Sequence, residues 1–196
     1  MSGAEEVAAA AARLVVEEGL EYGAAKRRAA RDLGRRRAEL PSNEALEDQV
    51  REYIELFCAD TQPVELRAMR EVAALWMERL AVFRPHLAGA VWRGTATRLS
   101  SVHLELYCDD AKSAELALLD KRVHYDVGAL ERHGAEPVTV LTVSSHSTAL
   151  GEPVTVHMTV LDHDDLRGAL KTDARGRGWR GDLAALLRLM NSVHSP

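Results

Sequence analysis

Two polar residues of different chemistry, His103 and Glu105, alternate with apolar residues in the segment VHLELYC at 102–108. Side chains of a β-strand point to opposite faces in turn, so His103, Glu105 and Tyr107 would share one face of a strand. An imidazole and a carboxylate on one strand face can hold a metal ion. The same pair would also suit the solvent side of an amphipathic strand, where it has no chemical role.

A second group with potential chemistry is the basic run KRRAARDLGRRR at 26–37, which holds seven basic residues and one acid. The whole chain has a net charge of −5, so this segment carries +6 and the remainder −11. Arg27, Arg28 and Arg31 would lie on one side of a helix, where they could contact the phosphates of RNA or DNA. The alternative is a solvated helix face, on which Arg28 and Asp32 have the spacing of an ion pair.

A glycine-rich basic stretch, ARGRGWRG at 174–181, lies closer to the C-terminus. Its residues Arg175, Arg177 and Arg180 could grip a triphosphate. The stretch could equally be a surface loop. Both interpretations stay open at the level of the sequence.

The composition limits the class of protein. Of 196 residues, 46% are hydrophobic and 28% charged, as in globular proteins. No segment approaches the ~20 continuous apolar residues of a membrane-spanning helix, so we expect a soluble protein without membrane contact. Near the N-terminus, Glu5 and Glu6 stand where a secretory signal is basic, which predicts a cytoplasmic location. Cys58 and Cys108 lie far apart without a CxxC motif, which indicates reduced thiols.

Helical periodicity dominates the first third of the chain. Helices are predicted from about residue 7 to Gly19, from about Tyr22 to Gly34, from Ser42 through Phe57, and from Thr61 to Arg84. The predicted buried face of the third helix consists of Leu46, Val50, Tyr53, Ile54 and Phe57. We therefore expect a helical N-terminal extension at 1–60, followed by an α/β core at 61–196.

From Leu87 onward the pattern alternates between apolar and polar residues. Strands are predicted at 87–91, 102–108, 125–127, 138–144 and 153–161, and helices at 110–121 and from about residue 182. The runs 138–144 and 153–161 are expected to form an antiparallel pair. The expected fold class is α/β (α+β), with a mixed sheet of about four to five strands flanked by helices.

Residues 87–109, LAGAVWRGTATRLSSVHLELYCD, combine a strand, a glycine, a polar turn and a second strand. This arrangement resembles the active-site hairpin of the nucleotidyltransferase superfamily, of the minimal or DNA polymerase beta-like type. In that family a strand ends in Gly-Ser, a turn with Arg-Gly follows, and the next strand carries Asp-x-Asp for magnesium. Gly89 matches the glycine, and Arg93 with Gly94 matches the turn. The resemblance thus implies a nucleoside triphosphate whose phosphates contact these three residues.

The acidic half of the family motif is missing. In one alignment with the family motif, Ala90 replaces the serine, while Ser101 and His103 replace the two aspartates. In an alignment moved by two residues, His103 and Glu105 take the positions of the two aspartates. The third family carboxylate would come from a later strand, where His157 is the best candidate. One carboxylate makes a poor magnesium site, so the resemblance implies a degenerate site or one in which imidazoles favour manganese or zinc.

Three hypotheses about function result. The first is a nucleotidyltransferase-like protein with a degenerate metal site, which binds nucleotide or phosphate with weak or no catalysis. The second is an active metal-dependent nucleotidyltransferase. It would use magnesium, manganese or zinc, the metal ligands would include His103 and Glu105, and the catalytic residues would be Ser101, His103, Glu105 and His157. The third is a non-enzymatic module that contacts nucleic acid through Arg27, Arg28 and Arg31, or a protein through the helical region. The oligomeric state stays open.

Overall fold

A computed structural model describes residues 2–35 and 40–192, which divide into two compact units. One unit holds the described residues of Met1–Leu66 together with Thr95–Ser100. The other holds Arg67–Gly94 and the described residues from Ser101 onward. The described residues form eight α-helices and six strands, so the expected mixed α/β class is confirmed. The domain boundary at residue 60 stays a prediction.

The first unit begins with three helices: α1 (Gly3–Glu18), α2 (Tyr22–Asp32) and α3 (Asn43–Phe57). Ser2 starts α1 with a capping box, in which the Ser2 hydroxyl accepts from the Glu5 N–H and the Glu5 carboxylate accepts from the Ser2 N–H. Gly19 ends α1 with a φ of 69°, a conformation that glycine adopts without strain. The predicted end of this helix is therefore confirmed.

Small side chains let these helices pack closely. The buried cluster of this unit consists of Val7, Ala11, Ala12, Val15, Val16, Ala25, Ala29, Ala30, Leu46, Val50 and Ile54. The burial predicted for Phe57 is wrong, since its side chain is 69% exposed. Phe57 is the last residue of α3, and the Tyr53 ring packs against it with the centroids 4.6 Å apart.

The turn at Thr95–Ser100 also belongs to the first unit. Hydroxyl groups of Tyr22 and Thr95 share a hydrogen bond of 3.2 Å. The Gln62 amide donates to the Ala96 carbonyl over 2.8 Å. Thr95 and Ala96 are buried, so the start of this segment is packed into the unit, whereas Arg98 and Leu99 are exposed.

Helix α4 (Gln62–Arg79) contributes its residues from Arg67 onward to the second unit. Met69, Ala73 and Trp76, spaced three to four residues apart on this helix, are buried. A 3-10 turn at Ala81–Phe83 follows. The predicted helix therefore ends a few residues earlier than expected.

The second unit is built on a sheet with the strand order β3-β4-β5-β2-β1-β6. Its strands are β1 (His86–Ala88), β2 (Val102–Tyr107), β3 (Asp126–Arg132), β4 (Ala135–Ser147), β5 (Glu152–Leu161) and β6 (Arg180–Gly181). β2 and β5 are parallel, and the other neighbouring pairs are antiparallel. The sheet is thus mixed, and the predicted antiparallel pair β4–β5 is confirmed.

Four further helices complete this unit: α5 (Gly89–Arg93), α6 (Ala111–Asp120), α7 (Asp165–Ala169) and α8 (Leu183–Ser192). The strand predicted at 87–91 ends already at Ala88, because Gly89 has a φ of 68° and turns the chain into α5. Alternation along β2 buries Leu104 and Leu106 on one face and leaves His103 half-buried on the other. Tyr107 was expected on the open face of the strand, but it is buried, with only 1% of its surface exposed.

Candidate functional site

The sheet brings together two histidines that are 54 positions apart in the chain, His103 on β2 and His157 on β5. They are direct neighbours in the parallel register, and their rings stack with centroids 5.2 Å apart and an interplanar angle of 30°. On the far side, His157 Nδ1 and Thr142 Oγ1 share a hydrogen bond of 2.9 Å. This bond fixes the orientation of the His157 ring and directs its other nitrogen away from Thr142.

Gly89 lies against the His103 imidazole. Ala88, the last residue of β1, pairs with His103 in the antiparallel register. A Cβ built on Gly89 would lie 3.4 Å from His103 Cδ2. The glycine therefore keeps the backbone exposed directly beside the histidine pair, in the place where the family resemblance puts its phosphate-binding glycine.

Glu105 follows His103 on the same strand face, but its carboxylate already has partners. The Tyr107 hydroxyl donates to Glu105 Oε2 over 2.7 Å, and Arg180 Nε lies 2.7 Å from the same oxygen. Burial and this hydrogen bond raise the pKa of Tyr107 well above its ordinary value, so Tyr107 stays a neutral donor. The charge of Glu105 is thus balanced by an arginine that β6 supplies.

Arg93, expected to contact phosphate, points into the protein. Its guanidinium donates to Asp173 Oδ2 over 2.7 Å and to the Gly178 carbonyl over 3.2 Å, and it lies over the Trp179 ring at 4.4 Å. The Arg93 side chain is only 5% exposed. Gly94 ends α5 in the left-handed conformation directly after it. In this structure the Arg93 side chain therefore holds the 173–179 loop, and its contact with phosphate stays a prediction.

Asp173, which the sequence analysis did not single out, organises that loop. Its carboxylate accepts from the backbone N–H groups of Arg175 and Arg177 over 2.9 Å and 2.8 Å. Burial alone would raise the pKa of Asp173, but these bonds and the one from Arg93 lower it far below the ordinary value. Its only signal in the sequence is that it is a single acid within a basic stretch.

The residues on this face do not fit the two-magnesium arrangement of the family. Such a site needs several carboxylates with free oxygen ligands, and Glu105 is paired with Arg180 and Tyr107. Across residues 2–35 and 40–192, no group of three or more His, Cys, Asp or Glu side chains is arranged to hold a metal ion. Ser101 lies one residue before β2 and is half-buried.

The basic residues of α2 are partly balanced by acids of the same unit. Arg28 pairs with Glu18 and lies 3.8 Å from Asp32, and Arg31 lies 3.6 Å from Asp32. Arg27 and Arg31 are exposed. Two further members of the run, Arg36 and Arg37, lie outside the described residues. Contact with RNA or DNA through Arg27, Arg28 and Arg31 stays a prediction.

Comparison with known proteins gives structural matches at low sequence identity. No protein-family model and no curated protein matches the chain. Cid1 poly(U) polymerase with bound MgGTP matches with 12% identity over 48% of this chain and 32% of that chain, at a TM-score of 0.35. Cid1 in complex with the UTP analogue UMPNPP matches with 16% identity over 52% of this chain and 31% of that chain, at a TM-score of 0.33. Cid1 in complex with its short product ApU matches with 18% identity over 51% of this chain and 32% of that chain, at a TM-score of 0.34.

These matches to a poly(U) polymerase, at low identity, each cover about half of this chain. The chain spans about a third of the length of those polymerase chains. At these TM-scores the match assigns neither an activity nor a binding residue. Separately, the helices within the described ranges include none that combines the length and the apolar character needed to cross a membrane.

Proposed function

We propose that the protein is a nucleotidyltransferase-like protein with a degenerate metal site, which binds the phosphate groups of a nucleotide with weak or no catalysis. The observation that carries the proposal is the stacked pair of His103 and His157 beside the exposed backbone of Gly89. Imidazole N–H groups donate hydrogen bonds to phosphate oxygens, whereas carboxylates repel them unless a metal ion intervenes. The exchange of acids for imidazoles therefore favours metal-independent binding of an oxyanion.

Weak catalysis is expected from the state of Glu105. Two-metal phosphoryl transfer depends on carboxylates that hold both ions against the substrate. Glu105 is the carboxylate of the predicted site, and Arg180 neutralises it at 2.7 Å. The pair therefore leaves no net negative charge of Glu105 on the face where the phosphates are proposed to lie.

The proposed contacts differ in part from those that the sequence suggests. His103, His157 and the Gly89 backbone remain the proposed phosphate-binding groups. Arg93 is assigned to the support of the 173–179 loop, because its guanidinium is buried against Asp173. Ser101 stays a candidate at the start of β2.

Thermal denaturation with ATP, GTP, CTP or UTP tests the proposal, because a ligand that binds only the folded state raises the melting temperature. Each nucleotide is added with a chelator, or with magnesium, manganese or zinc. We expect a rise that needs no metal and that His103→Ala and His157→Ala each reduce. His133→Ala, at an exposed histidine of the β3–β4 turn, is the matched control and should retain the rise. The absence of a rise with every nucleotide would refute the proposal.

An active enzyme is the second candidate, favoured by the fact that His103 and His157 come together beside Glu105 on one sheet face. It predicts release of pyrophosphate from a nucleoside triphosphate that depends on manganese or zinc. Glu105→Gln would then abolish release at a temperature at which the variant remains folded. Because it leaves the mostly buried Arg180 without its counter-charge, it should also lower the melting temperature. Binding without any pyrophosphate release identifies the degenerate site instead.

A further inference from the structure

A buried arginine of α4, Arg70, holds the short helix α5. Arg70 is only 7% exposed. Its Nε donates to the Val91 carbonyl over 3.0 Å, and its Nη2 donates to the Trp92 carbonyl over 3.2 Å. The guanidinium is planar and presents its N–H groups in a rigid fork, so one side chain fixes two successive carbonyl groups of α5.

These carbonyl groups lie where a short helix has no donors of its own. α5 consists of five residues, and Gly94, which follows its last residue, donates its N–H to the Ala90 carbonyl. The carbonyl groups of the last helical turn have no partner within the helix. A helix of this length also depends on tertiary contacts for its stability. Arg70 thus supplies donors that α5 lacks and fixes it to the longer helix α4.

The first residue of α5 reaches one half of the candidate site. Gly89 begins the helix, and a Cβ built on it would lie 3.4 Å from His103 Cδ2. At 3.6 residues per turn, α5 makes only about one and a half turns, so a tilt of the helix moves all of its residues together. The contact of Arg70 with α5 therefore also determines where the Gly89 backbone lies beside His103.

The last residues of α5 reach the other half of the site. The Trp92 indole N–H donates to the Gly178 carbonyl over 2.9 Å. A Cβ built on Gly181 would lie 2.2 Å from Trp92 Cη2, so the indole packs directly against the backbone of β6. Gly178 and Gly181 lie on either side of Arg180 in the chain, and Arg180 Nε lies 2.7 Å from Glu105 Oε2. The position of Trp92 therefore affects where Arg180 meets Glu105.

We propose that Arg70 is a positioning residue of the candidate site, which fixes both halves of the site through α5. It keeps the Gly89 backbone beside His103. Through Trp92 it keeps Arg180 beside Glu105. Arg70 thereby raises the affinity of the site for phosphate groups. The inference rests on the proposed function, because the affinity in question is that of the histidine pair.

Two substitutions test this role. Arg70→Met removes both donors, whereas Arg70→Lys keeps the charge but lacks the planar fork that matches two carbonyl groups. Binding of inorganic tripolyphosphate and of ATP, GTP, CTP and UTP is measured with a chelator, well below the melting temperature of each variant. We expect an affinity about tenfold lower for Arg70→Met, as for the loss of one hydrogen bond to a charged group, and a smaller loss for Arg70→Lys.

Arg51→Met in the first unit is the control for lost stability. It removes the 2.8 Å ion pair of Arg51 with Glu47, whose side chain is buried, so it should also lower the melting temperature. It should nevertheless retain the wild-type affinity for every probe. Wild-type binding that neither Arg70 variant weakens would overturn the role of Arg70 and leave the proposed function intact. Absence of binding by the wild-type protein would refute the proposed function and, with it, any effect of Arg70 on affinity.

NMR separates positioning from a purely stabilising role. In the folded Arg70→Met and Arg70→Lys proteins, the ring resonances of His103 and the Nε resonance of Arg180 should shift together. Arg51→Met should leave both unchanged. Arg70 variants that melt at a lower temperature but keep the wild-type resonances of His103 and Arg180 would contradict the proposal. Arg70→Lys carries the test if Arg70→Met does not fold.

Discussion

The Arg93 guanidinium and the Asp173 carboxylate lie 2.7 Å apart, both buried, although 80 positions separate them in the chain. Arg177 Nε adds a second ion pair to the same carboxylate at 3.0 Å. The Trp92 indole N–H donates to the Gly178 carbonyl over 2.9 Å. These contacts hold the loop that leads into β6. They thereby place Arg180 beside Glu105. The ion pairs of Asp173 with Arg93 and Arg177 thus support the charge balance of the candidate site.

Removal of Arg93 should destabilise the protein more than removal of Arg177. Arg93→Ala leaves the buried Asp173 carboxylate without its main partner, whereas the Arg177 side chain is 36% exposed and solvent can replace it. We expect a melting temperature several degrees lower for Arg93→Ala and a smaller change for Arg177→Ala. Equal effects in a thermal unfolding experiment would contradict the assigned role.

The Asp173 carboxylate should also make the free energy of unfolding depend on pH in the acid range. Because the pKa of Asp173 is lowered in the folded state, its contribution to stability is complete above the ordinary aspartate value of about 3.9 and is lost as the pH falls below it. Asp173→Asn removes this dependence at the cost of a less stable protein near neutrality. Urea unfolding at a series of pH values below about 5 should therefore give a flatter stability curve for the variant. Parallel curves would show that Asp173 does not contribute.

A glycine substitution tests the contact between Gly89 and the histidine pair. Gly89 and Gly134 both have positive φ, at 68° and 73°, so alanine costs about 1–2 kcal/mol at either position. Only the Gly89 methyl would meet His103, since no atom lies within 4 Å of a Cβ at Gly134. We expect Gly89→Ala to shift the His103 ring resonances in NMR spectra and Gly134→Ala to leave them unchanged. Unchanged His103 resonances in both variants would contradict a contact between Gly89 and His103.

Thr142 is expected to set the orientation of His157. Thr142→Val keeps the shape of the side chain but removes the 2.9 Å hydrogen bond to His157 Nδ1. The ¹⁵N shift of that nitrogen should change, because the nitrogen loses its hydrogen-bond partner. Thr139→Val, a half-buried threonine on the same strand, serves as the control. A His157 spectrum that responds equally to both substitutions would contradict the assignment.

The parts of the fold that follow local rules could be predicted from the sequence. The alternation around Leu104 and around Val156 indicated β2 and β5, whereas the family resemblance alone placed His157 near His103. The two-residue strand β6 has no such pattern, so its pairing with β1 and the contact of Arg180 with Glu105 emerged only from the structure. The burial of Arg93 depends on Asp173, a partner too distant in the chain for any spacing rule to find.

Binding of phosphate groups by His103 and His157 without a metal ion distinguishes the proposed function from that of an active metal-dependent enzyme. A titration of the ¹⁵N-labelled histidine side chains with a nucleoside triphosphate and a chelator, followed by NMR, addresses it residue by residue. We expect saturable shifts at His103 and His157, no shift at His133, and no increase in affinity when magnesium replaces the chelator. Shifts that appear only with magnesium, or that leave His103 and His157 unaffected, would contradict it.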